Sequence, residues 1–179
     1  MNLTSEDMEK YRDLYYWTIQ QLPQLPYTKP KVWAAFTRQA PRYGLSGFIA
    51  YPFFYWGYPP LLSVNSTDMM KCVDTGDPEP QPDGSFIQKR KNPWYGFTNP
   101  SARDEIIVAS DLARDAGLPT DAGKVFEATI LHELVHFCRK KAGMNVNDEG
   151  PPYAFEREAY GREVTRTWES CYSPRYFRS

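Results

Sequence analysis

Both histidines of this 179-residue chain lie in one apolar segment, whose residues 132–136 read HELVH. Residues four apart on a helix stand one above the other, so both imidazoles can reach the same metal ion. Two randomly placed histidines with a glutamate after the first would match this motif in about one chain of this composition in 1,500. Apolar neighbours on most sides predict a buried helix, and buried histidines need partners. The segment therefore predicts a metal-binding helix.

The motif gives its three polar residues different roles. Catalytic zinc sites use neutral imidazole nitrogens as ligands and keep one coordination position open. We therefore predict one Zn²⁺ per chain, with His132 and His136 as ligands. Glu133 is predicted to be the general base that takes a proton from the attacking water during peptide-bond hydrolysis. A non-catalytic, zinc-stabilised binding module is the alternative, and it has no need of this glutamate.

The third ligand has to be a carboxylate, a cysteine or a tyrosine, because the chain has no third histidine. The downstream carboxylates are Asp148, Glu149, Glu156, Glu158, Glu163 and Glu169. The first two precede a pair of prolines, which predicts a loop that would hold a metal less rigidly. Glu156 and Glu158 lie on the helix predicted to follow, about 200° apart around its axis, so they cannot face the same ion. From the residues alone, either Glu156 or Glu158 remains possible as the third ligand. Glu156 could also be a surface carboxylate paired with Arg157 or with a lysine.

The oxyanion that forms during hydrolysis needs a hydrogen-bond donor beside the metal. Tyr160, Tyr153 and Arg157 are the candidates. Tyr160 is preferred as the catalytic residue, because it lies one helical turn from Glu156. The alternative is that Tyr160 packs against the long helix.

The motif followed by a glutamate on a second helix resembles the gluzincin group of zinc metallopeptidases. In several branches of that group, the third ligand opens an E-x-x-x-D motif. Residues 156–160 read EREAY, so the resemblance implies that Glu156 is the ligand and that Tyr160 replaces the aspartate.

Residues 126–161 contain LHELVHF, Glu149-Gly150 and FExxAYG, and with these motifs they more narrowly resemble the metallopeptidase domains at the ends of bacterial polymorphic toxins. These include the C-terminal domain of some type VI secretion VgrG spike proteins, and the similarity covers 36 of the 179 residues. It implies a toxin or secreted effector with a protein or peptide substrate, and an immunity protein or a secretion-spike carrier as partner. A housekeeping zinc peptidase or a peptidoglycan amidase is the alternative.

Charge and hydropathy exclude other classes of partner. The chain has 21 basic and 22 acidic residues, without the excess of positive charge that nucleic-acid binding favours. No apolar run approaches the 18 to 20 or so residues that a membrane span needs. The first 20 residues carry four acidic side chains and do not match a signal peptide. We expect synthesis in the cytoplasm and delivery outside the producing cell, to a target periplasm or a host cell.

The pattern of prolines and apolar residues predicts one α+β, zincin-like domain over residues 1–179. Twelve of the 16 prolines fall in residues 1–100, which predicts a loop-rich N-terminal part that is also rich in aromatic residues. Residues 101–179 form the predicted catalytic core. Predicted helices run from Thr4 or Ser5 to Leu22 and over residues 30–39, 122–141 and 151–168. Predicted strands cover residues 86–87 and 106–108, and residues 105–109 are proposed as an edge strand that binds substrate.

Two further features have simpler interpretations. Half of the residues in segment 47–60 are aromatic, which predicts a loop folded over the core or a surface for a partner or substrate. The three cysteines form no CxxC pair, and Cys138 is predicted to be a small buried apolar residue.

Overall fold

The computed structural model describes residues 1–40, 51–65, 73–74, 79–80, 86–87, 90–91, 96–98, 104–145, 147–164, 166–170 and 173–176. Its α-helices are α1 (Ser5–Lys10), α2 (Arg12–Tyr16), α3 (Leu22–Thr28), α4 (Pro30–Gln39), α5 (Ser110–Ala113), α6 (Asp121–Lys141) and α7 (Gly150–Tyr160). A π-helical turn (Trp17–Gln21) and a 3₁₀ turn (Tyr51–Phe54) accompany them. The strands are β1 (Asn2–Leu3), β2 (Leu61–Asn65), β3 (Val73–Asp74), β4 (Glu79–Pro80), β5 (Phe86–Ile87), β6 (Arg90–Lys91), β7 (Gly96–Thr98), β8 (Glu105–Ala109), β9 (Arg166–Ser170) and β10 (Ser173–Tyr176). The predicted α+β class is confirmed.

Among the described residues, the main sheet has four strands in the order β1-β2-β8-β7. Strand β8 pairs in parallel with β2 and antiparallel with β7, so it lies inside the sheet. The prediction that residues 105–109 form an edge strand is therefore wrong. The apolar side chains of Ile106 and Val108 explain the difference, because both are fully buried. Within the described part of the chain, β7 is the edge strand on this side of the sheet.

The long helix α6 agrees with its predicted bounds within a residue. Thr120 caps it by accepting a hydrogen bond from the backbone N–H of Gly123 at 3.4 Å. Three basic residues fill its last turn, and Gly143 ends the turn that follows with φ +68°. Cys138 is buried in this helix, as predicted.

The N-terminal helical region differs from the prediction. Thr4 does cap α1, accepting a hydrogen bond from the N–H of Asp7 at 3.0 Å. The helix breaks near Tyr11, and helical structure continues past Leu22 as far as Thr28. Pro23 does not end it, because a π-helical turn comes first and Pro23 lies in the first turn of α3, where a missing N–H is tolerated. Helix α4 has its predicted bounds.

Helix α7 ends earlier than predicted. Gly161 adopts φ +82°, a left-handed conformation that ends helices, and residues 166–170 pair with β10 as a hairpin. Helix α7 packs against α4 and α6, with Phe155 edge-on to Phe36 at 6.1 Å between ring centroids. This packing places the N-terminal end of α7 beside the histidines of α6.

In the aromatic segment 47–60, of which residues 47–50 lie outside the described part, one ring packs in the core as predicted for a loop folded over it, and the role as a surface for a partner or substrate stays a prediction. Phe54 is buried against Phe36, with ring centroids 5.1 Å apart. Tyr55, Trp56 and Tyr58 are exposed. Within the described residues, no helix is both long and apolar enough to cross a membrane.

Candidate metal centre

Helix α6 holds the three polar residues of the motif against the core. Its apolar residues are buried on most sides, and Glu133 and His136 are buried with them. His132 is largely buried, with 12 % of its side chain exposed. The side chains of these three residues therefore have little contact with water, and buried polar groups require hydrogen-bond partners.

Glu149 brings a carboxylate to both imidazoles. Its Oε2 lies 3.2 Å from Nε2 of His132 and 3.3 Å from Nε2 of His136. These three residues form a group whose ligand atoms all lie within 4.8 Å of one another. Tetrahedral zinc with bonds of 2.0 to 2.1 Å separates neighbouring ligand atoms by about 3.3 Å. Two imidazole nitrogens and one carboxylate oxygen at this spacing fit a divalent metal ion.

Glu156 lies on the opposite side of the His132 ring. Its Oε1 is 2.6 Å from Nδ1 of His132, and its Oε2 accepts a hydrogen bond from the backbone N–H of Val164 at 2.7 Å. A carboxylate at Nδ1 fixes the ring orientation and directs Nε2 towards the metal position. The structure thus brings Glu156 to the histidine, but on the nitrogen that faces away from Glu149.

The segment that carries Glu149 is tied to α6. The guanidinium of Arg139 donates to Oδ2 of Asp148 at 2.9 Å, and the N–H of Gly150 donates to Oδ1 at 3.1 Å. Glu149 lies between these anchored residues and is the N-cap of α7. It is therefore fixed to two helices, whereas the sequence suggested a less rigid loop.

Thr98, on β7, contacts the remaining polar residue of the motif. Its hydroxyl oxygen Oγ1 is 2.8 Å from the backbone carbonyl oxygen of Glu133 and 3.0 Å from Oε2 of the Glu133 side chain. Burial raises the pKa of Glu133 to about 7, although the charge of His132 and the Thr98 hydrogen bond act in the opposite direction. Such a pKa suits a group that takes up and returns a proton near neutrality.

The carboxylates make the site attractive to a cation. Burial lowers the pKa of His132, but its hydrogen bonds to Glu149 and Glu156 and the charge of Glu133 outweigh it and raise that pKa to about 10. Burial, followed by the charge of His132, lowers the pKa of His136. The carboxylates of Glu133, Glu149 and Glu156 thus surround the two imidazoles. These negative charges favour a positive charge between them, which a divalent cation can supply.

Comparison with known families identifies the chain. A family model described as metallopeptidase toxin 3 matches residues 7–161. The chain belongs to the metallopeptidase toxin 3 family. Comparisons with curated proteins and with solved structures found no match. Membership implies a metal-dependent peptidase that acts on protein, and the group around His132 and His136 can hold the metal.

In the metallopeptidase toxin domain, two other candidate ligands are paired with arginines. Glu158 forms an ion pair with Arg38 of α4. Glu163 accepts a hydrogen bond from Arg157 at 2.5 Å. Arg157, one of the candidate oxyanion donors, is therefore paired as well. The side chain of Glu169 lies outside the described part.

The two tyrosine candidates occupy different positions in the metallopeptidase toxin domain. The hydroxyl of Tyr160 donates to Oε1 of Glu127 at 3.2 Å, and Lys29 donates to the other oxygen at 2.6 Å. The structure thus does not bring Tyr160 to the His132–His136–Glu149 group, and its catalytic role stays a prediction. The ring of Tyr153 packs edge-on against His132, with centroids 5.3 Å apart.

Sequence reasoning missed two residues at this site. Glu149 was a candidate but was ranked below Glu156, because the prolines after it predicted an unanchored loop. The available signal was the pair of prolines that follows Gly150, since proline is favoured in the first turn of a helix and here places Glu149 at the N-terminus of α7. Nothing in the sequence singled out Thr98, because its contact with Glu133 spans 35 residues.

Proposed function

We propose that this protein is a zinc-dependent endopeptidase that acts as a secreted bacterial toxin or effector. The observation that carries the proposal is the placement of one Glu149 oxygen 3.2 and 3.3 Å from the Nε2 atoms of the two motif histidines. Membership of the metallopeptidase toxin 3 family supports it. Zinc fits because two imidazoles and one carboxylate are an established ligand set for catalytic zinc.

We assign His132, His136 and Glu149 as the metal ligands and Glu156 as the residue that orients His132. The distances support this assignment over the Glu156 ligand predicted from sequence. Glu156 already uses Oε1 on Nδ1 of His132 and Oε2 on the N–H of Val164. A carboxylate with both oxygens engaged in this way has no oxygen directed at the Nε2 side of the ring.

Bound zinc would lower the pKa of a water molecule to about 7 and polarise the carbonyl of the peptide bond. The chain's own residues perform the proton transfers. Because Thr98 engages Oε2 of Glu133, we assign Oε1 as the atom that takes the proton from the attacking water. Glu133 then returns the proton to the amine that leaves.

Strand β7 is the proposed binding edge for the substrate backbone. It is the outer strand of the main sheet in the described part of the chain, and its last residue contacts Glu133. An extended peptide can add to such an edge through backbone hydrogen bonds. A peptide bound there would lie beside the general base.

The toxin assignment also implies a delivery route and partners. We propose delivery outside the producing cell, to a target periplasm or a host cell, on a carrier such as a type VI secretion spike. An immunity protein that protects the producing cell is the expected second partner. Expression in a bacterial host with and without an export signal would identify the compartment in which the chain is toxic, with a Glu133→Ala form as the inactive control.

The metal content of the purified protein tests the core of this proposal. Protein reconstituted with zinc should contain one zinc ion per chain by elemental analysis and hydrolyse an unfolded protein substrate. His132→Ala and His136→Ala should each lose the metal and the activity, since two remaining ligands hold zinc weakly. Absence of bound zinc in the reconstituted wild type would refute the proposal, and bound zinc without hydrolysis would favour the binding-module alternative.

A matched pair of tyrosine variants tests which hydroxyl assists catalysis. Tyr153→Phe should lower kcat about tenfold or more, because Tyr153 packs on His132 and is a candidate oxyanion donor. Loss of one such donor lowers kcat by about 100- to 1,000-fold in enzymes where it has been removed. Tyr160→Phe should chiefly lower thermal stability, since it removes the hydrogen bond to buried Glu127. Steady-state kinetics and thermal melts of both variants are the measurements. The reverse pattern would restore Tyr160 as the donor.

A further inference from the structure

We propose that Thr98 is a positioning residue that fixes the carboxylate of Glu133 in its reactive orientation. The proposal rests on the proposed peptidase function. The hydroxyl of Thr98 lies within hydrogen-bond distance of two oxygens of the same residue, the backbone carbonyl and Oε2 of Glu133. A threonine hydroxyl has one proton, and an ionised carboxylate only accepts hydrogen bonds. The single proton is thus shared between a helix carbonyl and the carboxylate.

This arrangement ties the side chain of Glu133 to its own helix. The carbonyl belongs to the hydrogen-bonded backbone of α6 and cannot move independently of it. A hydroxyl held 2.8 Å from that carbonyl therefore has a fixed place relative to the helix. Because Oε2 of Glu133 lies 3.0 Å from the same hydroxyl, the hydroxyl also fixes the position of the carboxylate.

Thr98 itself stands on a rigid support. Its strand pairs with β8 in a defined register, with Thr98 opposite Ile106 and Phe97 opposite Ile107. Ile106 is fully buried, so β8 cannot shift without disturbing the core. Threonine is also stiff about χ1, because two heavy atoms branch from its Cβ.

The burial of Glu133 makes this support important. With 6 % of the residue exposed, its carboxylate has little access to water. A buried carboxylate that loses a hydrogen-bond donor turns towards another partner. Two imidazoles lie on the same helix within one turn. Without the hydroxyl, Thr98 contacts the carboxylate through its backbone hydrogen bond alone, and Glu133 can rotate towards the imidazoles and away from the substrate-binding edge.

Kinetic comparison of two Thr98 variants with the wild type tests the proposal. Thr98→Val removes the hydroxyl at nearly constant shape, whereas Thr98→Ser retains it. Thr98→Val should lower kcat at least about tenfold, which is a part of the 100- to 10,000-fold that general base catalysis contributes. Its KM and its zinc affinity should stay within about twofold of wild type. Thr98→Ser should recover most of kcat.

Ser63→Ala is a matched control. It removes another hydroxyl–carboxylate hydrogen bond from the same sheet, the 2.7 Å contact between Ser63 and Oε1 of Glu105. This variant should keep the wild-type kcat. A Thr98→Val protein with wild-type kcat would overturn the proposal. A loss that Thr98→Ser does not recover, or that is matched by lost zinc affinity, would also overturn it, because either result indicates a purely structural role.

Crystal structures of the wild type and of Thr98→Val provide a readout independent of turnover. The Glu133 carboxylate should adopt a different side-chain rotamer in the variant while the backbone of α6 stays in place. An unchanged Glu133 rotamer would refute the positioning role even if the wild type proved inactive. An inactive wild type with a displaced Glu133 in the variant would refute the peptidase function alone.

Discussion

Glu133→Gln is expected to lower kcat by at least about 100-fold while one zinc ion stays bound per chain. Glutamine retains the size of glutamate and can still accept a hydrogen bond from Thr98, but its amide cannot take a proton from water. General base catalysis contributes about 100- to 10,000-fold, so the expected loss is at the low end of that range. Zinc should remain because Glu133 is not part of the group of possible metal ligands formed by His132, His136 and Glu149. Zinc analysis and steady-state kinetics on the same preparation are the measurements.

Glu127→Gln is the control for this variant. Glu127 is another buried glutamate of α6, with contacts to Lys29 and Tyr160. Its replacement removes the ion pair with Lys29 and should lower thermal stability, yet the folded protein should keep its kcat. Loss of zinc from Glu133→Gln with the fold intact would mean that the glutamates of the site are wrongly assigned.

The sequence predicted what short-range patterns determine. Helix α6 is recognisable from its Thr120 cap, apolar residues and basic end, because all of these signals lie within one element. The relative positions of its two histidines are fixed for the same reason, because both lie on this helix. The α+β class and the bounds of α4 also follow from local periodicity and from prolines.

Features that depend on packing between elements could not be predicted in this way. Which carboxylate faces the Nε2 atoms depends on how α7 lies against α6, and Glu149 and Glu156 lie on opposite sides of the His132 ring for that reason. The partner of Tyr160 is Glu127, 33 residues away. The place of β8 inside the sheet likewise depends on β2, a strand more than 40 residues earlier. A helical repeat gives the face of a residue but not the element that covers it.

Glu149→Ala is expected to weaken zinc binding by more than about 100-fold and to abolish activity with it. In our assignment this change removes one of three ligands, and its oxygen lies 3.2 to 3.3 Å from both Nε2 atoms. Glu156→Ala should weaken zinc binding less, by about 10- to 100-fold, the usual cost of removing a residue that orients a ligand. It should also lower thermal stability, because it leaves Nδ1 of His132 and the N–H of Val164 without their carboxylate.

Glu158→Ala completes the series as the control, since Glu158 pairs with Arg38 and lies away from the histidines. Its zinc affinity and kcat should stay near those of the wild type. Competition with a zinc chelator ranks the three affinities, and a crystal structure with zinc identifies the ligand directly. A Glu156 oxygen at about 2.0 to 2.2 Å from zinc, the usual bond length, with Glu149 in solvent would reverse our assignment. The ranking Glu149→Ala, then Glu156→Ala, then Glu158→Ala in order of decreasing loss follows only if Glu149 binds the metal and Glu156 acts through His132.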